Sequence, residues 1–146
     1  MAKRFVPGIH LPPGVGKTHV GAVYACTNEA LEGFVKIGKT TNRIEVRIAS
    51  LNAHFKASLG LPKFRVEFYA KTKNCHHAEH KLHDYFNWYQ LNEGKFQEFF
   101  FVDLRTVREA FISLVGEVTD CNHAPFKPRL SCPISPSIMN ILMYYE

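Results

Sequence analysis

Gly21-Ala22-Val23-Tyr24 and Val35-Lys36-Ile37-Gly38 are the stretches whose reading decides the fold. Each is a short, mostly apolar run of strand type. Eleven residues separate Tyr24 from Lys36, and within them Thr27-Asn28 and Glu32-Gly33 supply turn chemistry. The pair predicts a hairpin with strands over 21–26 and 34–38, and with Tyr24 and Lys36 on one sheet face. A phenol beside an ammonium is a poor core element, because both polar tips need partners once they leave water. The same two groups are a reasonable beginning for a site that handles phosphate.

Working outward, residues 43–55 predict a helix. Ile44, Ile48, Leu51 and Phe55 fall on one stripe, and Arg43, Arg47, Ser50 and His54 fall on the opposite face. Phe64, Val66, Phe68 and Ala70 alternate with Arg65, Glu67 and Tyr69, which predicts a half-buried strand. Residues 75–90 predict a second helix behind Asn74 as N-cap, with Ala78, Leu82, Tyr85 and Tyr89 as its apolar stripe. Glu98-Phe99-Phe100-Phe101-Val102 is a short buried segment. Asp103 can cap a third helix running to about Leu114, with Leu104, Val107 and Phe111 inward. The expected fold is α+β: a small three-stranded antiparallel sheet flanked by helices, in a single domain. Residues 1–19 form a basic arm rich in Pro and Gly, 20–115 the domain, and 116–146 a tail. The apolar stretch Ile138–Tyr145 at the end of that tail could dock on the core.

Composition sets limits. The chain has 146 residues, 46% of them hydrophobic and 21% charged, as an ordinary globular domain does. No apolar run approaches the roughly 18 residues that span a bilayer. The first eight residues lack the apolar core of a signal peptide, so a cytoplasmic protein without membrane contact is expected. Cys26, Cys75, Cys121 and Cys132 show no Cys-x-x-Cys spacing and read as free thiols. The formal charge of +5 favours a polyanionic partner such as nucleic acid.

Gly14-Val15-Gly16-Lys17-Thr18 resembles the end of a phosphate-binding loop. The full pattern needs Gly where Leu11 stands, a strand before and a helix after. Pro12 and Pro13 precede it instead, so it reads as part of the arm. On the second helix His76, Glu79, His83 and Asn87 share a polar face, with Glu79 and His83 one turn apart. A carboxylate among histidines is a candidate ligand for a hard divalent cation. Cys75, His76, His80 and His83 form a denser set that could hold Zn²⁺, although no second Cys/His pair with finger spacing follows. Tyr85, Trp88 and Tyr89 could stack on bases, but their spacing favours core packing.

Together these pieces resemble the GIY-YIG nuclease superfamily, in its phage and bacterial branch whose second motif reads Lys-Ile-Gly. The likeness runs from Gly21 to about Phe111. It rests on Val23-Tyr24, on Lys36-Ile37-Gly38 extended by Lys39-Thr40, on Arg47, on Ala78-Glu79 with Leu82-His83, and on Glu98-Phe99-Phe100. The resemblance implies a metal-dependent endonuclease acting on DNA, RNA being the lesser alternative, as a monomer or transient dimer in a bacterial cell or phage-infected host. It implies that Glu79 holds one Mg²⁺ or Mn²⁺, that Arg47 clamps the phosphate oxygens, and that Tyr24 positions or deprotonates the water with Lys36 supplying charge. This chain has Lys36 where the motif's second tyrosine stands elsewhere, and Leu51 where many members carry a histidine. His83 or His54 could take that histidine's place, and Glu98 could pair with a basic side chain at the end of the core. Two alternatives use the same features: a nucleic-acid-binding module of the same fold with little or no catalysis, and a structural or inhibitory protein acting through the apolar tail.

Overall fold

The hairpin forms where the two stretches predict it. The computed structural model describes residues 19–60, 62–91 and 98–124. In it β1 (Gly21–Asn28) and β2 (Phe34–Thr40) pair antiparallel, with Tyr24 opposite Gly38 and Cys26 opposite Lys36. Residues two apart on a strand share a face, so Tyr24, Lys36 and Gly38 lie on the same side. Asn28 shapes the turn by accepting the Ala30 amide on its side chain at 2.9 Å. Gly38 is required by close approach. A Cβ there would sit 2.5 Å from the Tyr24 hydroxyl, because the tyrosine ring lies directly across that position.

Three further strands complete the sheet: β3 (Phe64–Thr72), β4 (Phe99–Phe101) and β5 (Thr119–Asp120). The order is β4-β2-β1-β3-β5, with every neighbouring pair antiparallel. The expected three strands are therefore present, but two short edge strands extend them. Segments of three and two residues are too short to show a period of two, so the sequence pattern alone misses them. β5 lies in the stretch expected to be tail, and Arg108 on the third helix ties it down with a bidentate pair to Asp120 at 2.9 and 2.8 Å.

The helices α1 (Ile44–Leu59), α2 (Cys75–Tyr85) and α3 (Leu104–Leu114) cover both sides. Leu51 and Phe55 of α1 pack with Tyr24, Cys26, Phe64, Val66 and Phe99. On the opposite side Ala78 and Leu82 of α2 and Val107 and Phe111 of α3 pack with Val23, Ala25, Ile37 and Phe100. β1 is thus buried on both faces. The Asn74 side chain accepts the His77 amide at 3.0 Å and the Asp103 side chain accepts the Thr106 amide at 2.8 Å, the two caps expected.

Two expectations are corrected. Phe64, Val66, Phe68 and Ala70 do not share a face. The β1–β3 register shifts between Ala25 and Cys26, so that Ala25 meets Phe68 while Cys26 meets Val66. This bulge at Glu67 flips the alternation and sends Phe64 and Val66 to the α1 side, Phe68 and Ala70 to the other. The second helix ends at Tyr85, not at 90. Phe86 takes the buried position and a 3₁₀ turn over Asn87–Tyr89 follows, leaving Tyr85 and Tyr89 exposed. The arm's glycine-rich 14–18 and the apolar 138–145 stretch lie outside the described residues. Among those described, no helix is long and apolar enough to cross a membrane.

Candidate functional site

The polar residues singled out from the sequence converge on β2. On its α1 side Tyr24 is 1% exposed, and its hydroxyl accepts a hydrogen bond from Arg47 Nε at 3.0 Å. Arg47 reaches it because it lies one turn before the buried Leu51, on the inward side of α1 and not on the face opposite the apolar stripe as expected; Arg43, Ser50 and His54 stay exposed. Burial raises the Tyr24 pKa above the ordinary phenol value, although Lys36 and Arg47 work against that shift. The hydroxyl therefore keeps its proton at neutral pH.

Lys36 is 3% exposed. Its ammonium lies 5.8 Å from the centroid of the Tyr24 ring and forms an ion pair with Glu98. Burial alone would lower its pKa, but Tyr24, Glu98 and Cys26 outweigh that and hold it above the usual lysine value. Burial would raise the Glu98 carboxyl; Lys36 overcomes this, with His83 and Lys39 adding, so the carboxyl sits below its ordinary range. Cys26, next on the same face of β1, is buried and its thiol is pushed up to about 12 by that burial. It behaves as a small apolar residue.

The second group lies on the α2 side. Glu79 is 8% exposed. Its Oε1 accepts from Lys39 Nζ at 3.0 Å. Its Oε2 is buried, with no hydrogen-bond partner among the described residues. His83, one turn on, has Nε2 3.9 Å from that oxygen and 2.8 Å from the Ile37 carbonyl. A carbonyl only accepts, so Nε2 carries the proton and donates it there. The histidine ring packs on Phe100 at 5.1 Å and fastens α2 to β2.

Arg47 and Lys36 thus both lie against Tyr24, and Glu79 and His83 meet on the other side of the same strand. Glu98 links the two groups electrostatically. His54 is exposed on α1 with its ring against Phe55. Sequence reasoning missed Lys39 as the partner of Glu79. The only signal was its place next to Gly38, one residue out of phase with Lys36 and therefore on the opposite face. Cys75 is buried, whereas His76 and His80 are exposed. Among the described residues no group of three or more His, Cys, Asp or Glu side chains is placed to hold a metal ion. What suits a hard cation here is a single carboxylate with an unsatisfied buried oxygen, an oxygen donor of the kind Mg²⁺ and Mn²⁺ take.

An antiparallel sheet between helices, with these groups gathered on β2, defines a single α+β domain. The T5orf172 domain family model matches residues 21–115, and the chain belongs to that family. The family is phage-associated and related to nuclease-like folds, and it makes interaction with nucleic acid plausible; a GIY-YIG family model does not match. No curated protein and no solved structure matches the chain.

Proposed function

We propose that this chain is a metal-dependent endonuclease that hydrolyses DNA phosphodiester bonds at a single site of GIY-YIG type. The observation that carries the reading is the convergence on Lys36–Lys39 of β2. A Tyr24–Arg47 pair flanks one face, and a buried carboxylate with a spare oxygen flanks the other.

Glu79 would hold Mg²⁺ or Mn²⁺ through Oε2. When bound, the metal supplies Lewis-acid charge at the phosphodiester. Arg47 spends Nε on Tyr24 and keeps four further N–H donors, a fork suited to the non-bridging oxygens of a phosphate. Tyr24 stays neutral, so it orients the attacking water through its hydroxyl and does not serve as the base. Lys36, neutralised by Glu98, fixes the field around that hydroxyl. His83 spends its Nε2 proton on the Ile37 carbonyl and so acts as a positioning residue for Glu79. DNA is the preferred substrate over RNA, and the site belongs in the cytoplasm of a bacterial cell or phage-infected host. One site cuts one strand, so a double-strand break needs a transient dimer or two visits by a monomer.

A second reading, a nucleic-acid-binding module without efficient catalysis, draws on Lys39. Its ammonium already neutralises one oxygen of Glu79. Supercoiled plasmid incubated with Mg²⁺ or Mn²⁺ separates the two. The enzyme reading expects nicking that disappears in Glu79→Ala and falls about a hundredfold in Arg47→Ala. Absence of nicking with either metal, while salt-sensitive DNA binding persists, establishes the module instead.

A further inference from the structure

Single exposed apolar side chains are ordinary, but neighbouring exposed rings mark a surface that can anchor a ligand. Trp88 is 93% exposed, and Tyr85, Tyr89 and Phe101 are each more than half exposed. The other exposed large hydrophobics among the described residues, Val20, Val46 and Ile112, lie on different elements. Three of the four rings, Tyr85, Trp88 and Tyr89, follow within five residues at the end of α2 and its 3₁₀ turn, and Tyr89 shares a cleft with the fourth, Phe101.

The rings stand on a firm base. Phe86 is 1% exposed and anchors the turn from within the core. The Tyr89 amide donates to the Phe86 carbonyl at 2.9 Å, and the Leu91 amide donates to the Phe99 carbonyl at 2.9 Å. Gln90 and Leu91 are thereby held along β4, and β4 pairs with β2 so that Phe99 lies opposite Lys36. Phe101 is itself on β4, and that one strand lies between Gln90–Leu91 and the polar groups on β2. Tyr89 and Phe101 also line a cleft of about 440 Å³ together with Gly33, Val102, Asp103 and Thr106. The exposed Phe101 ring is steadied against Phe34 at 5.2 Å.

We infer that Trp88, Tyr89 and Phe101 form a stacking site for unpaired nucleobases, which makes DNA with a single-stranded segment the preferred substrate. This rests on the nuclease reading for the purpose of the site, but not for its binding. Base stacking on an aromatic ring is tolerant of sequence, because every base has a π face. The chain's charge of +5 draws in the polyanionic backbone that carries such bases. Asp103, held at the cleft by Thr106, repels phosphate and so directs a base, not the backbone, between Tyr89 and Phe101.

Trp88 is the only tryptophan in the chain, so its emission reports on this surface alone. The full chain, without metal, is titrated with a single-stranded oligonucleotide of about 12 nucleotides and with a blunt duplex of the same sequence. Saturable quenching by the single strand, with affinity at least tenfold above the duplex, is expected. Trp88→Ala and Tyr89→Ala, followed by anisotropy of labelled DNA, should each weaken single-strand binding roughly tenfold and leave duplex binding within about twofold. Trp88→Phe should restore most of the loss. The side chains are exposed, so circular dichroism of the variants should match wild type. Equal affinity for both DNAs, or unchanged single-strand binding in both alanine variants, overturns the proposal. So does a wild-type dimer in sedimentation that Trp88→Ala dissolves, because the rings would then seat a second copy. Plasmid nicking without quenching refutes the stacking site alone; quenching without nicking refutes the nuclease alone.

Discussion

Tyr24, Arg47 and Lys36, on one face of β2, are matched to partners. Glu79, Lys39 and His83, on the other, leave an oxygen over. In the first group the tyrosine has its arginine and the lysine has Glu98, and both Tyr24 and Lys36 are almost wholly out of water. In the second, Lys39 is one-third exposed and Glu79 Oε2 has no hydrogen-bond partner among the described residues. A satisfied network holds a shape, whereas an unsatisfied buried oxygen is a standing cost of about 1–3 kcal/mol that an arriving cation can cancel. Under the proposed function the first face would position and the second would receive the metal.

The strongest challenge to this contrast is Glu79→Gln. It keeps the size of the side chain and removes the charge, so nicking should fall by a hundredfold or more while the urea midpoint stays near wild type. A variant that unfolds, or one that nicks normally, makes Glu79 structural. Lys36→Met should do the reverse and act on stability. It strands the Glu98 carboxylate, at a cost of about 2–3 kcal/mol in chemical denaturation; the value stays below that of a fully buried pair because Glu98 keeps over a third of its side chain in water. Gly38→Ala drives a methyl into the Tyr24 ring and should cost about 1–3 kcal/mol, with a loss of nicking as the hydroxyl moves.

The acid limb of stability tests the Lys36–Glu98 pair by titration. Glu98 has a lowered carboxyl pKa in the folded state. Its contribution is therefore complete above the unfolded carboxyl value of about 4.3 and is lost as pH falls through the folded value. Glu98→Gln should flatten that limb, and an unchanged limb would mean that the pair contributes little. The smallest effect belongs to Lys39→Met. A partly exposed pair contributes at most about 1 kcal/mol, so stability should barely change. Mn²⁺ binding followed by electron paramagnetic resonance should tighten, because the competing ammonium is gone; weaker binding would show that Lys39 helps to build the site.

Local signals carried the hairpin and both helix caps, but not the turn of Arg47 toward the sheet, which the helical wheel places on the outer face. A strand pair closed by a short turn and a side chain capping its own helix are both settled within a few residues of the chain. The rest depended on distant partners. Lys36 meets Glu98 across 62 residues. The bulge at Glu67 carries no glycine to announce it. It is satisfied instead by Thr27 Oγ1, which donates to the Glu67 carboxylate at 2.6 Å, and by Arg65 at 2.8 Å. The aromatic stripe of α2 failed where the helix gave way to a 3₁₀ turn. Phe86 continued the buried row of Ala78 and Leu82, and the tyrosines were left outside.

The position of β1 has a consequence in time. It is the middle strand, hydrogen-bonded on both edges and covered on both faces. Amide protons of Tyr24 and its neighbours should exchange with deuterium only when the whole domain opens, whereas those of three-residue β4 should exchange through local fraying. Tyr24 therefore rides on the slowest clock in the molecule, and Glu98, at the threshold of β4, on one of the fastest.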